Sequence, residues 1–126
     1  MIEALFGQTN YVAAKKMLDA TVMRHDAIAS NFANIETPNY KRMDVAPSFD
    51  GQLRQALATK DSNQIAALNP TMAVDSSAVS GRNDGNTVLL ETELLKLNQN
   101  TIEHTLETQL ISGSLLKMRL AITGKG

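Results

Sequence analysis

Hydrophobic positions recur at helical spacing at both ends of the chain. Between about Asn10 and Asn34, Tyr11, Leu18, His25 and Phe32 stand seven apart, and Ala14, Thr21, Ile28 and Ile35 form a companion series. Together they make a 4-3 stripe, the seam of a helix that packs along another helix. Val22 and Ala29 widen this stripe, while Lys15, Lys16, Asp19, Arg24 and Asp26 fall mostly outside it. A second periodic stretch runs from about Val88 to Ile122. Asn86 or Thr87 can cap its start, Glu91 and Glu93 suit its positive end, and Gly124 can stop it. At 1.5 Å per residue the two helices are about 37 Å and about 50 Å long. Neither can bury its seam alone. The expected fold is therefore all-α, with the two helices paired as an antiparallel, coiled-coil-like hairpin.

The second helix carries more than one face. Leu95, Ile102, Leu106, Leu110, Leu116 and Leu120 give an apolar side, and Leu90, Leu94, Leu97, Ile111, Leu115 and Met118 spread apolar surface further around. Asn98, Thr101, Thr105, Thr108 and Ser112 step by three and four, which makes a face of small uncharged polar residues. Solvated helix faces usually carry Lys and Glu instead. The pattern predicts a helix that contacts several neighbours at once; the plainer alternative is a weakly amphipathic helix with its threonines in solvent.

Residues 41–87 differ. They hold Pro47, Pro70, Gly51, Gly81 and Gly85 among dense polar residues. A short helix is expected over Phe49–Leu57 with Phe49, Leu53 and Leu57 on one side, a weak apolar patch over Ile65–Leu68, and loop from Asp75 to Asn86. Such a segment does not easily offset its ordering entropy alone, so it is expected to be poorly ordered. This gives three segments: 1–40, helix and turn; 41–87, flexible middle; and 88–126, helix. The two ends form one structural domain.

The stretch Ala29–Arg42 ends the first helix and turns the chain. Asn34 is a candidate left-handed cap. Pro38-Asn39 fits the centre of a tight turn, with asparagine accepting positive φ. Asn31 and Asn34 share a helix face with Ile28 and Ile35, and buried amides need partners.

Composition narrows the function. A chain of 126 residues with 43% apolar residues and few aromatics supports a modest helical interface within one domain. Net charge is −1, and Lys15-Lys16 and Lys41-Arg42 are isolated basic pairs, so nucleic acid is not an expected partner. The chain has no cysteine, which excludes disulfides and thiolate metal sites. Neither a membrane span nor the basic start and apolar run of a cleavable secretory signal is visible. His25 sits on the seam and reads as an interface histidine. Glu103, His104 and Glu107 lack the paired Glu-x-x-His or His-Glu-x-x-His spacing of metal helices. No serine elbow or phosphate loop is present. No enzymatic activity, cofactor, metal or small-molecule substrate is expected.

Two stretches carry a resemblance. Asn31, Asn34, Thr37, Pro38 and Tyr40 form the two-asparagine, Thr-Pro-x-Tyr signature that resembles the N-terminus of bacterial flagellar axial proteins, the rod, hook and hook-associated subunits. Phe32 and Asn39 replace the usual aliphatic residue and glycine while keeping apolar bulk and tolerance of positive φ. Asp84-Gly85-Asn86-Thr87-Val88, with Glu91, Glu93 and Leu97–Thr101, resembles the C-terminal region of the smallest rod subunits. The resemblance implies a structural subunit of the proximal rod of the flagellar basal body, a periplasmic drive shaft needed for motility, exported uncleaved by the flagellar type III apparatus. Implied partners are copies of itself, the other proximal rod subunits, the protein joining rod to MS ring, the MS ring and the export gate. Phe49 and Leu53 resemble the Phe-x-x-x-aliphatic element that engages that gate. The candidate assembly residues are Leu18, His25, Ile28, Asn31, Phe32, Asn34, Ile35, Pro38 and Tyr40, with Leu95, Asn98, Thr101, Ile102, Thr105, Thr108 and Ser112. Another axial subunit, such as the second proximal rod protein, is the alternative within this class. A small helical export chaperone or adaptor is the alternative outside it.

Overall fold

A computed structural model describes residues 2–124. Along the chain run α1 (Ile2–Ala33), β1 (Met43–Val45), α2 (Ser48–Thr59), α3 (Ser62–Ala66), β2 (Met72–Val74) and α4 (Leu90–Thr123). The fold is mostly helical, with long first and last helices that lie against each other. Met1 and residues 125–126, the outer ends of the expected segments, lie outside the described residues.

α1 begins at Ile2, well before the Asn10 that periodicity suggested. Its buried positions also differ from the expected seam. Ala14, Thr21 and Ile28 are buried as the companion series requires. Leu18 and Phe32 are only half-buried, and His25 is exposed. The reason is size. Ala13, Ala14, Ala20, Thr21 and Ala27 are small enough to let other elements approach the helix axis, so burial follows them rather than the larger residues.

The middle segment, expected to be poorly ordered, instead folds onto α1. Ala13 and Ala20 of α1 join Val45, Phe49, Leu53, Ala56 and Ile65 in one buried cluster, edged by Met17, Met23, Leu57 and Leu68. Each large apolar side chain fully removed from water contributes about 1.5–3 kcal/mol, and here they share one surface of α1. The short helix expected at Phe49–Leu57 is α2, and Ile65 of the weak patch is fully buried on α3. Asp61 caps α3 by accepting the backbone N–H groups of Asn63 and Gln64. The all-α expectation needs a further correction: β1 and β2 pair antiparallel, with Met43 opposite Val74, Asp44 opposite Ala73 and Val45 opposite Met72. Strands of three residues are too short to show alternation in sequence.

α4 starts at Leu90, and its N-cap is Leu89, without a side-chain cap. Asn86 and Thr87, the expected caps, are spent on the turn described below. Gly124 closes α4 at φ +68°, as its position predicted. Among the described residues no helix is long and apolar enough to cross a membrane.

Candidate functional site

The turn after α1 is built from local chemistry. Tyr40 N–H donates to Thr37 O at 3.3 Å, and Asn39 between them sits at φ +61°. Asn34 does not take the left-handed cap conformation expected of it. Its side-chain amide donates to Ser30 O at 2.9 Å, and its Oδ1 accepts from the Thr37 hydroxyl at 3.1 Å. Asparagine thus ends the helix through its side chain rather than through positive φ.

Residues 84–88 close over this turn. Asn39 N–H donates to Asp84 O at 2.8 Å and Thr87 N–H to Tyr40 O at 3.0 Å. The Asn86 amide reaches three carbonyls, of Asn34 at 2.9 Å, Ile35 at 3.2 Å and Thr37 at 2.8 Å. Its Oδ1 accepts Val88 N–H at 2.8 Å. Arg82 adds a donor to Ile35 O. The carbonyls that a helix end leaves unpaired are therefore satisfied from a loop some fifty residues away. Gly85 permits the approach: its φ is +78°, and a Cβ there would lie 2.4 Å from Asn39 Oδ1.

Next to the turn lies a buried charge cluster. Arg42 Nε donates to Glu93 Oε1 at 2.6 Å, and Arg42 Nη1 to Asp75 Oδ2 at 2.6 Å and Asp44 Oδ2 at 3.1 Å. The Arg42 and Glu93 side chains are 2% and 0% exposed, so this pair is wholly out of water. Asn31 joins it. Its Nδ2 donates to Glu93 Oε2 at 3.2 Å and to Met43 O at 2.9 Å, and its Oδ1 accepts from Met43 N–H and the Tyr40 hydroxyl. Arg24 bridges Asp44 at 3.1 Å and Glu103 at 3.3 Å. Burial alone would lower the Arg42 pKa, but Glu93, Asp75 and Asp44 outweigh it and hold it above the ordinary value. Burial would raise the Asp44 carboxyl, yet Val45 N–H, Arg42 and Arg24 hold it low. Asp75 is held low by Ser77 and Arg42 against a smaller effect of burial.

One helical stretch further along α1, Thr21 meets α4 twice. Its hydroxyl lies 2.5 Å from Glu107 Oε2, and its carbonyl accepts from Asn100 Nδ2 at 2.9 Å. Glu107 is buried, and burial, with Glu103 adding to it, pushes its carboxyl pKa up despite Thr21, Arg24 and His104. Asn100 Oδ1 is buried without a hydrogen-bond partner among the described residues.

The structure brings Asn31, Asn34 and Tyr40 together with Ser30 at the turn, and Ile28 is buried beside them. Ile35 is half-buried and Pro38 exposed. Leu95, Asn98, Thr101, Ile102, Thr105, Thr108 and Ser112 are all exposed on α4, while Phe49 and Leu53 are in the core. Sequence reasoning missed Arg42, Asp44, Asp75, Asn86 as a lock, and the α4 face that meets α1. That face is Glu93, Asn100 and Glu107, spaced by seven, and the regular spacing was the available signal. Among the described residues, no group of three or more His, Cys, Asp or Glu could hold a metal ion.

No family model matches the chain. Individual proteins do. The chain is 30% identical over 110 residues to the flagellar basal body rod protein FlgB of Cereibacter sphaeroides, covering 81% of this chain and 84% of that protein. It is 28% identical over 113 residues to the FlgB of Aquifex aeolicus, covering 88% and 90%. It is 27% identical over 115 residues to the FlgB of Borrelia hermsii, covering 77% and 83%.

Proposed function

The chain belongs to the flagellar basal body rod protein FlgB family and is a structural subunit of that rod, and on this premise we propose that α4 is its principal assembly surface within the proximal rod. The observation that carries the proposal is the exposure of α4. Leu95, Ile102, Leu106, Leu110 and Leu116 are each more than half exposed on one helix, which is far more apolar surface than a finished soluble surface usually presents.

α4 has three sides. One, through Glu93, Asn100 and Glu107, meets α1. The contacts Asn31–Glu93, Arg24–Glu103 and Thr21–Glu107 run in opposite order along the two helices, which supports an antiparallel pairing. A second side is the apolar one. The third is the polar stripe. There the hydroxyls of Thr101, Thr105 and Thr108 donate to the carbonyls of Leu97, Thr101 and His104 in their own helix. These three hydroxyls need no solvent partner, so close helix contact can cover them without stranding a donor. Copies of the chain and other proximal rod subunits would cover the second and third sides in a periplasmic shaft, with the junction protein and the MS ring at its base. The rod-forming ends are residues 1–40 and 88–126, braced by residues 41–87. The export-chaperone alternative is not favoured.

Phe49 and Leu53 would serve the export gate before folding, since both are buried once α2 packs on α1. A photo-crosslinking side chain at position 102, in cells, tests the assembly surface. It should capture rod subunits, whereas the same probe at Gln52, exposed on α2, should capture none. Absence of any subunit crosslink from position 102 in cells with complete rods would overturn the assignment.

A further inference from the structure

We propose that Glu107 is a proton-operated latch between α1 and α4, fastening the helices when neutral and loosening them when ionised. The inference rests on the helix pairing proposed above and adds a regulatory property to it.

Hydrogen counting carries the inference. The Thr21 hydroxyl has one hydrogen. It lies 2.9 Å from Met17 O, which can only accept, and 2.5 Å from Glu107 Oε2. Both contacts can be full hydrogen bonds at once only if the second hydrogen belongs to Glu107. The neutral carboxyl then donates to Thr21 Oγ1, and Thr21 donates on to Met17 O. An ionised Glu107 would draw the Thr21 hydrogen away from Met17 and place a full charge on a side chain that is 4% exposed.

The surroundings do not neutralise that charge. Arg24 of α1 is already engaged by Asp44 and Glu103, and His104 of α4 is the other neighbour that acts to lower the Glu107 pKa. Glu103 repels it. From α2, Asp50 and Arg54 line the same cleft, with Met17, Phe49 and Leu57 forming apolar wall between them. Among the described residues, no buried cation contacts Glu107 as Arg42 contacts Glu93. The two buried acids of α4 thus differ: Glu93 is fixed by a guanidinium, and Glu107 is met by a hydroxyl. Burial pushing the Glu107 carboxyl up agrees with this geometry.

The sign follows from linkage. A carboxyl whose pKa is higher folded than unfolded binds its proton more tightly in the folded chain. Its contribution is fully present below the ordinary value of 4.5 and is lost as pH rises through the folded value.

The test uses the intact chain and its Glu107→Gln variant, whose amide can still donate to Thr21 but cannot ionise. Melting temperatures are followed from about pH 4 to about pH 8, and the Glu107 carboxyl is titrated by carbon NMR. The wild type should lose several degrees relative to the variant across this range, and Glu107 should titrate above its ordinary value. Parallel melting curves, or titration at or below the ordinary value with the Thr21–Glu107 proton contact still visible, would overturn the latch alone. Absence of any contact between residues 21 and 107 at every pH would overturn the helix pairing and the latch with it.

Discussion

Asn31 on the first helix and Glu93 on the last are hydrogen-bonded at 3.2 Å, and both side chains are fully buried. Glu93 is held on its other side by Arg42, so three residues from three parts of the chain share one charge centre. Removing Glu93 takes the acceptor from Arg42 Nε and Nη2 in the interior and leaves Arg42 with Asp75 and Asp44 alone. Glu93→Ala should cost about 3–5 kcal/mol of folding free energy, the usual loss when one half of a buried ion pair is deleted. Replacing both members, Arg42→Met with Glu93→Leu, should cost less than Glu93→Ala alone. Urea unfolding of the three chains checks the order.

Gly85 and Asn39 should be energetically coupled although far apart in sequence. Gly85→Ala meets both positive φ and the Asn39 side chain, and should destabilise by more than about 1 kcal/mol. Adding Asn39→Gly removes the steric clash but not the backbone strain, so it should restore part of the loss. A double-mutant cycle in urea measures this. Strict additivity of the two changes would show that residues 84–88 do not rest on the turn.

At the acid end the stability should depend on Asp44 and Asp75. Both folded-state pKa values lie below the ordinary 3.8. Their contribution is present above that value and disappears as pH falls through the folded values. Asp44→Asn should therefore flatten the acid limb of a melting-temperature profile while leaving the limb above about pH 5 parallel to wild type.

Charge on the polar stripe of α4 should block assembly. Thr105→Lys places an ammonium where close helix contact is proposed, and burying an unpaired charge is costly. Ser76→Lys, on an exposed loop, should be nearly silent. Swimming assays and detection of each variant in purified basal bodies separate the two; equal incorporation would place the stripe in solvent.

Phe49→Ala with Leu53→Ala tests export and packing together. Both side chains are in the core, so the pair of truncations should destabilise the folded subunit by several kcal/mol. Loss of packing by itself does not hinder passage of an unfolded chain. Accumulation of the variant inside cells, with little outside, supports the gate role. Wild-type export with failed rod incorporation would remove it and leave only packing.

The sequence was most readable where local rules act alone. Periodicity placed the long helices, α2 and the Phe49–Leu53 side, and turn chemistry placed Asn39. It was least readable where polar residues go inside. Glu93, Asn100 and Glu107 occupy the face of α4 that meets α1, while the leucines of its apolar side are exposed. A rule that equates apolar with buried inverts such a helix. Arg42, which holds Glu93, and Asp75, which holds Arg42, lie in segments whose short strands gave no periodic signal. The half-exposed Leu18 and Phe32 reflect the same effect on α1, where alanines take the close contacts.

The Asn86 lock also bears on the order in which structure can form. Its three carbonyl acceptors are made early in the chain, and the amide that satisfies them comes 52 residues after Asn34. Arg42 waits 51 residues for Glu93, and Thr21 waits 86 for Glu107. Contacts of such separation form late, because large loops must close before any of them is gained. A chain lacking its last forty or so residues has a guanidinium without Glu93 and no α1–α4 seam, and it cannot complete the native arrangement. Completion of the C-terminal part therefore times the pairing of α4 with α1 and the filling of the buried charge centre.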